Sequence, residues 1–324
     1  MDTAPLVSVI IPTHNRITLV RRMIGCALGQ HLADLEVIVV DDGSTDGTSE
    51  VLGEHFDPRV RIVRNEQARG EAGARNRGIE EARGRWLAFA DDDDLWSPYK
   101  LHLQLDAIAA VEGAAWACVG AIEVDEHLDL LGWAPCPTPE QERMILARNV
   151  IPGGGSGVLA DRNLVERVGG FDPQLRLGAD RDLWIRLWLE APLATVQRPL
   201  AAHVVHQNSI SRRGGGRREA FELLAAKHAA ARQRHGVTLD PSVLTSYADA
   251  LVLGGAPGEG ARLYAHTAWR YRQPNLLAKS AAAAFAPGLL QRRWRRQARA
   301  WAASIPAHWR EEAETWLAPW RISV

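Results

Sequence analysis

Four consecutive acids, Asp91, Asp92, Asp93 and Asp94, follow the apolar run Trp86-Leu-Ala-Phe-Ala90. Carboxylates repel one another, so such a cluster persists only where cations or water neutralise it. The run before it mixes aromatic and small apolar residues, as a short buried strand does. A strand that stops on acids delivers them to the carboxyl edge of a sheet, where open α/β folds bind ligands. The pattern points to a bound divalent cation; the plainer alternative is a solvated acidic turn.

Two further strings belong with it. Pro12-Thr13-His14-Asn15-Arg16 ends one β-branched run, and Asp41-Asp42-Gly43-Ser44-Thr45-Asp46-Gly47 ends the next. If these runs are adjacent parallel strands, both strings reach one edge. A buried carboxylate there can accept from a nucleobase N–H, and the His14 ring can stack on the base. Taken alone, the second string also suits a plain turn capping a helix. Arg75, in Gly73-Ala74-Arg75-Asn76, has the fork that grips a phosphate, although a lone arginine is commonly a surface residue.

The elements that must position these groups alternate. Strands are expected over 7–12, 35–40, 60–63, 86–90 and 116–124, and helices over 17–30, 48–56, 74–82 and 98–111. Such alternation implies right-handed crossovers and a Rossmann-like, mainly parallel sheet flanked by helices, an α/β fold. The middle adds a glycine turn at Gly153–Gly157, helices over 161–168 and 180–189, and a strand over 194–205. Arg212-Arg213-Gly214-Gly215-Gly216 reads as a hinge. Beyond it the chain is rich in Ala, Arg, Leu and Trp and reads as helices only. Domains are therefore expected over 1–215, with a nucleotide-binding half to about 125, and over 216–324.

The 324 residues carry a net charge of −1, which gives no global field for nucleic acid. Three scattered cysteines suit free thiols in a reducing compartment. Met1 to Pro5 lacks the features of a signal peptide, and no stretch approaches the roughly 20 apolar residues of a membrane span. A cytoplasmic location is expected.

The strings at 7–16, 40–48, 74–78 and 93–101, in this order, resemble family 2 glycosyltransferases, whose fold is GT-A. The resemblance continues through Gly169-Gly170-Phe171-Asp172, Asp180-Arg181-Asp182-Leu183-Trp184 and His206 to Ser211, covering about 6–213. It implies that Asp42 reads the donor's base, with Asp41 and His14 beside it. Pro12, Thr13, Asn15, Arg16, Arg75 and Asp92 would also border the nucleotide. Asp91 and Asp93 match the metal-binding Asp-x-Asp acids, and His206 a histidine that helps hold metal or diphosphate, with His203 as a competitor. Hard oxygen ligands suit Mg²⁺ or Mn²⁺. Asp180 matches the catalytic base, which deprotonates the acceptor hydroxyl in an inverting displacement. Gly154, Gly155 and Ser156 match an acceptor-side loop, joined on that side by Asp182 and Trp184. Ala179 stands where the family often has Glu, Asp92 where the motif is free, and His14 where an aromatic ring is frequent. Arg212 and Arg213 could close on the diphosphate as a clamp, or simply form a basic linker.

The expected function is metal-dependent, inverting transfer of a sugar from a nucleotide-sugar, by resemblance a UDP-sugar, to a glycan, lipid-linked or small-molecule acceptor. The rivals are a nucleotidyltransferase, which the N-terminal loop does not suit for want of glycines, and a degenerate sugar-nucleotide-binding or scaffold protein. In the tail, Trp294 and Trp301 stand seven residues apart among arginines, with Trp309, Trp316 and Trp320 beyond. This surface either touches anionic lipid, as a peripheral contact at the inner face of a membrane, or packs its tryptophans on the catalytic core.

Overall fold

The computed structural model describes residues 4–53, 57–205 and 216–321. These residues fall into two compact units. One comprises Met1–Glu142, Val150–Val204 and Ile305–Val324, the other Arg143–Asn149 and Val205–Ser304.

The first unit opens with β1 (Val7–Thr13), α1 (Ile17–Leu28), β2 (Leu35–Asp41), α2 (Thr48–Gly53), β3 (Val60–Arg64), α3 (Gly70–Glu81) and β4 (Trp86–Phe89). It continues through β5 (Leu95–Trp96), α4 (Lys100–Ala110), β6 (Trp116–Val124), β7 (Leu130–Ala134), α5 (Pro139–Glu142), β8 (Val158–Asp161), α6 (Arg162–Arg167), α7 (Ala179–Glu190) and β9 (Leu193–Val204). The strands form one sheet in the order β3-β2-β1-β4-β8-β6-β9-β5, with β7 on β6. Pairing is parallel across β3-β2-β1-β4. Beyond β4 the ladders are mixed: β8 runs antiparallel to β4 and β6, and β9 parallel to β6.

The apolar runs explain the parallel half. Every residue of β2 is buried, as expected for a strand covered by helices on both faces. On α1 the residues Val20, Met23, Ile24 and Ala27 form one apolar stripe against the sheet. On α3 the approach to β1 is so close that a Cβ at Gly78 would lie 2.3 Å from Ile10 Cγ2, so only glycine fits there. Register then levels the strand ends, with Thr13 opposite Asp41 and Asp41 opposite Arg64.

The last helix, Ala307–Leu317, also belongs to this unit. Its Ala313, Trp316 and Leu317 join the same core as β1, β2 and α1, and Trp320 packs against Gly25.

The second unit is helical: α8 (Arg217–Lys227), α9 (Ala229–Arg234), α10 (Ser242–Leu253), α11 (Pro257–Arg270), α12 (Asn275–Phe285) and α13 (Pro287–Ala303). It has its own core, in which Phe221, Leu244, Val252, Tyr264, Leu276 and Leu290 pack together. Buried within it, Asp249 accepts a hydrogen bond from the Tyr264 hydroxyl and lies 3.9 Å from Lys279 Nζ. No helix among the described residues is long and apolar enough to cross a membrane.

Candidate active site

The ends of β1, β2 and β3 build one side of the site. Asp41 is fully buried; its Oδ1 accepts from the Ser44 N–H at 2.9 Å and its Oδ2 from Arg64 at 3.0 Å. Asp42 Oδ1 accepts from Asn65 Nδ2 and the Arg69 N–H, and Oδ2 from the Gly70 N–H, each at 2.8 Å. Asp42 thereby fixes the turn between β3 and α3, and its Oδ2 retains room for a second donor. His14 Nδ1 lies 2.8 Å from the Asp42 carbonyl. A carbonyl only accepts, so Nδ1 carries the proton and Nε2 is left to accept from the Asn15 amide at 3.0 Å. Asn15 takes a left-handed conformation (φ 55°), which asparagine tolerates, and bonds Ser44 and Thr45 across the edge. Pro12 precedes them within β1.

The acidic cluster follows β4, and its mutual repulsion is met by three cations of the chain. Arg75 pairs with Asp91, Arg16 reaches Asp92 at 2.9 Å and Asp93 at 3.0 Å, and His203 lies 3.1 Å from Asp94. Asp92 and Asp93 thus share one guanidinium, while Asp91 and Asp94 each turn to a partner of their own. Asp92 also accepts from the Thr13 hydroxyl at 2.7 Å; burial pushes its carboxyl up to about 6, against the pull of Arg16. Asp94 is wholly buried, and desolvation raises its pKa despite His203. For His203 burial acts downward, but the facing Asp94 charge outweighs it and lifts the imidazole to about 10. The pair therefore keeps His203 cationic at neutral pH. Of the four acids Asp91 is the most open, its side chain 28% exposed against 13% or less for the others.

Asp91 is where the site's two halves meet. Its N–H donates to Ser156 Oγ at 2.9 Å, in the 3₁₀ turn Gly154–Gly157. A Cβ at Gly155 would come 2.9 Å from the Arg75 guanidinium, so glycine there lets the turn close over that side chain. Gly154 lies beside Asp91 Oδ2. Arg75, itself 2% exposed, also pairs with Glu71 at 2.6 Å and lies over the Phe171 ring. Asp180 sits in the first turn of α7, partly exposed to solvent. Desolvation raises its pKa, and it feels both the Arg75 charge, which lowers it, and the Asp91 charge, which raises it. Asp91, Arg75 and Asp180 are thus electrostatically in one site.

Asp182 and Trp184 are not presented to an acceptor. Asp182 is fully buried and pairs with Arg186 at 2.6 Å, which in turn holds the Val168 and Gly170 carbonyls. Trp184 is fully buried among Phe89, Phe171 and Trp116. Nearly all of α7 from Ala179 to Leu187 is buried, on every face of the helix, and Asp180 in its first turn is one of the few positions there that keep some exposure. His206, Arg212 and Arg213 lie outside the described residues. Sequence reasoning gave no role to Asn76, whose side chain clamps Phe171 by two 2.8 Å bonds. Its position beside Arg75 was the available signal. His203, named as the competitor of His206, meets Asp94 at 3.1 Å.

Among the described residues no group of three or more His, Cys, Asp or Glu converges as a metal cage. The donor chemistry nevertheless suits a hard cation that takes one or two carboxylates and fills its shell with phosphate oxygens and water. Asp91, open, and Asp93, next along, are the candidates.

This mixed sheet, carrying its acids at the carboxyl edge of a parallel half, is the GT-A glycosyltransferase architecture. The sequence profile of Glycosyl transferase family 2 matches residues 8–168. WcaA of Escherichia coli K12, a glycosyl transferase ascribed to colanic acid biosynthesis, is 30% identical over 198 residues, covering 59% of this chain and 68% of the relative. The chain belongs to glycosyltransferase family 2. WfgD of Escherichia coli, a UDP-Glc:alpha-D-GlcNAc-diphosphoundecaprenol beta-1,3-glucosyltransferase, is 41% identical over 100 residues, 31% of this chain. The chain spans about two-fifths of that relative's length, 40%. Among solved structures, S. aureus TarS 1–349 in complex with UDP-GlcNAc has a similar fold, with a TM-score of 0.56 and 15% identity over 85% of this chain and 88% of that one.

Proposed function

We propose that this chain transfers a sugar from a UDP-sugar to an acceptor hydroxyl, with inversion at the anomeric carbon and with a divalent cation on the diphosphate. The observation that carries the reading is the Arg75–Asp91 pair at the sheet edge, with Asp180 of α7 within electrostatic reach of both and its carboxyl raised by its surroundings. A base whose pKa is raised by desolvation accepts the acceptor's proton more readily. Asp180 takes that proton as the hydroxyl oxygen attacks. Arg75, preoriented by Glu71 and Asp91, supplies positive charge beside the leaving diphosphate. Asp91 and Asp93 would hold Mg²⁺ or Mn²⁺, which when bound offsets the charge of the departing nucleoside diphosphate. The base pocket is Asp42 with His14 and the turn 65–70. The turn Gly154–Gly157, bonded to Asp91, offers backbone to the acceptor.

The acceptor we assign is a lipid-linked glycan. This rests on WfgD, whose name specifies a diphosphoundecaprenol-linked sugar. The test is a panel of UDP-sugars with an undecaprenyl-diphosphate-linked acceptor, run with Mn²⁺ and after chelation. Release of UDP together with an acceptor product, lost on chelation and opposite in anomeric configuration to the donor, is the expected result. A product of retained configuration would sink the single-displacement mechanism.

A further inference from the structure

The helical unit carries a surface that its own packing leaves uncovered. On α12, beyond Asn275 in its first turn, the exposed positions are Leu277, Ala278, Ala281, Ala284 and Phe285. This i, i+4, i+7/i+8 spacing puts them along one helix face, and that face holds no polar side chain. Phe285 is 89% exposed, and Leu289 at the start of α13 is 63% exposed. Trp269, at the end of α11, is 81% exposed. Large apolar side chains this open are uncommon on a lone soluble surface and mark a contact.

The charge around them says what kind. Residues 260–304 contain nine Lys and Arg and no Asp or Glu, in a chain whose net charge is −1. Arg292 and Arg296 are exposed on α13, and Arg272 in the turn before α12. The helices that carry the apolar face are therefore basic, the nearby acid being Glu222 of α8, 3.5 Å from His266. Two copies meeting through it would bring like charges together, which disfavours a homodimer. Apolar side chains amid arginines suit an anionic lipid headgroup layer, with aromatic rings at the acyl boundary.

We infer that the α11–α13 surface, through Trp269, Leu277, Phe285 and Leu289 with Arg272, Arg292 and Arg296, docks the protein on an anionic lipid bilayer. It goes beyond the donor chemistry and does not rest on it, since the surface lies in the helical unit and vesicle binding needs no substrate.

The experiment is sedimentation with vesicles of pure phosphatidylcholine and of phosphatidylcholine with 30 mol% phosphatidylglycerol (an amount chosen at about the anionic content of a cell membrane). Wild type is expected to sediment with the second and not the first. Arg292→Gln with Arg296→Gln should weaken binding about 25-fold, since each arginine near an anionic surface is worth a factor of about five. Phe285→Ser with Trp269→Ser should weaken it at least as much. All four positions are exposed, and unchanged thermal unfolding and UDP binding would show that the variants fold. Absence of sedimentation with anionic vesicles, or binding that these substitutions leave intact, overturns the inference. So does concentration-dependent dimerisation abolished by Phe285→Ser, which would assign the face to a second copy. Competition by RNA that exceeds competition by anionic vesicles would assign it to nucleic acid and overturn it equally.

Discussion

At the scale of residues, the account turns on how buried charges are matched. Asp180→Asn keeps size and shape but cannot take a proton. It should lower kcat by about a hundredfold to ten-thousandfold, as loss of a general base does, while UDP affinity by calorimetry stays within error. Because the Asp180 pKa is raised by desolvation, and the base works only when ionised, kcat should fall as pH drops through a value above the roughly 3.9 of free aspartate. A kcat–pH profile with its acid limb at or below that value would contradict the assignment. His203 and Asp94 give a separate test in stability. His203→Leu, which has no donor, leaves the buried Asp94 with the Val204 N–H, which should cost about 3 kcal/mol in urea unfolding at pH 7. His203 is raised to about 10 from an unfolded value near 6.5. Its stabilisation is therefore whole below about 6.5 and is lost as pH climbs through about 10. The gap between wild type and variant should narrow over that alkaline range.

At the scale of elements, the longer strands and the helices through Val124 were legible because their signals are local. Val7–Thr13 and Leu35–Asp41 are β-branched runs buried on both sides, and Trp116–Val124 is a long one. The short strands β5, β7 and β8 were not legible. Leu95–Trp96 has two residues and owes its strand state to pairing with Ala201 and Ala202, more than a hundred residues away. Motif order likewise singled out Asp180, Arg75 and the acidic cluster as candidates, but not which cation each acid would meet, since those pairings span up to about a hundred residues. Trp184 was misread for a related reason: its motif position says nothing of the face it occupies on α7. Gly78 tests the packing directly. Gly78→Ala drives a methyl into Ile10 and should destabilise by about 1–3 kcal/mol. The double variant with Ile10→Ala should be more stable than the sum of the two single losses by thermal unfolding.

At the scale of the whole molecule, the chain leaves the catalytic unit, builds a helical unit and returns. The returning helix Ala307–Leu317 is part of the first core: Trp316 is 6% exposed and Leu317 fully buried. Trp316→Ala should therefore lower the stability of the catalytic unit by about 3–5 kcal/mol, seen as an earlier loss of UDP binding in urea. A tail that merely decorated the surface would leave that midpoint unmoved. The central claim, a metal-assisted nucleotide-sugar site along the sheet edge that carries Asp42 after β2 and Asp91 and Asp93 after β4, is tested most directly by calorimetric titration of UDP, GDP and dTDP with and without Mn²⁺, repeated on Asp93→Asn. The account predicts that UDP binds, that Mn²⁺ tightens it, and that Asp93→Asn removes the gain from Mn²⁺ while leaving metal-free binding in place. UDP binding indifferent to both Mn²⁺ and Asp93, or no binding of any of the three nucleotides, would contradict it.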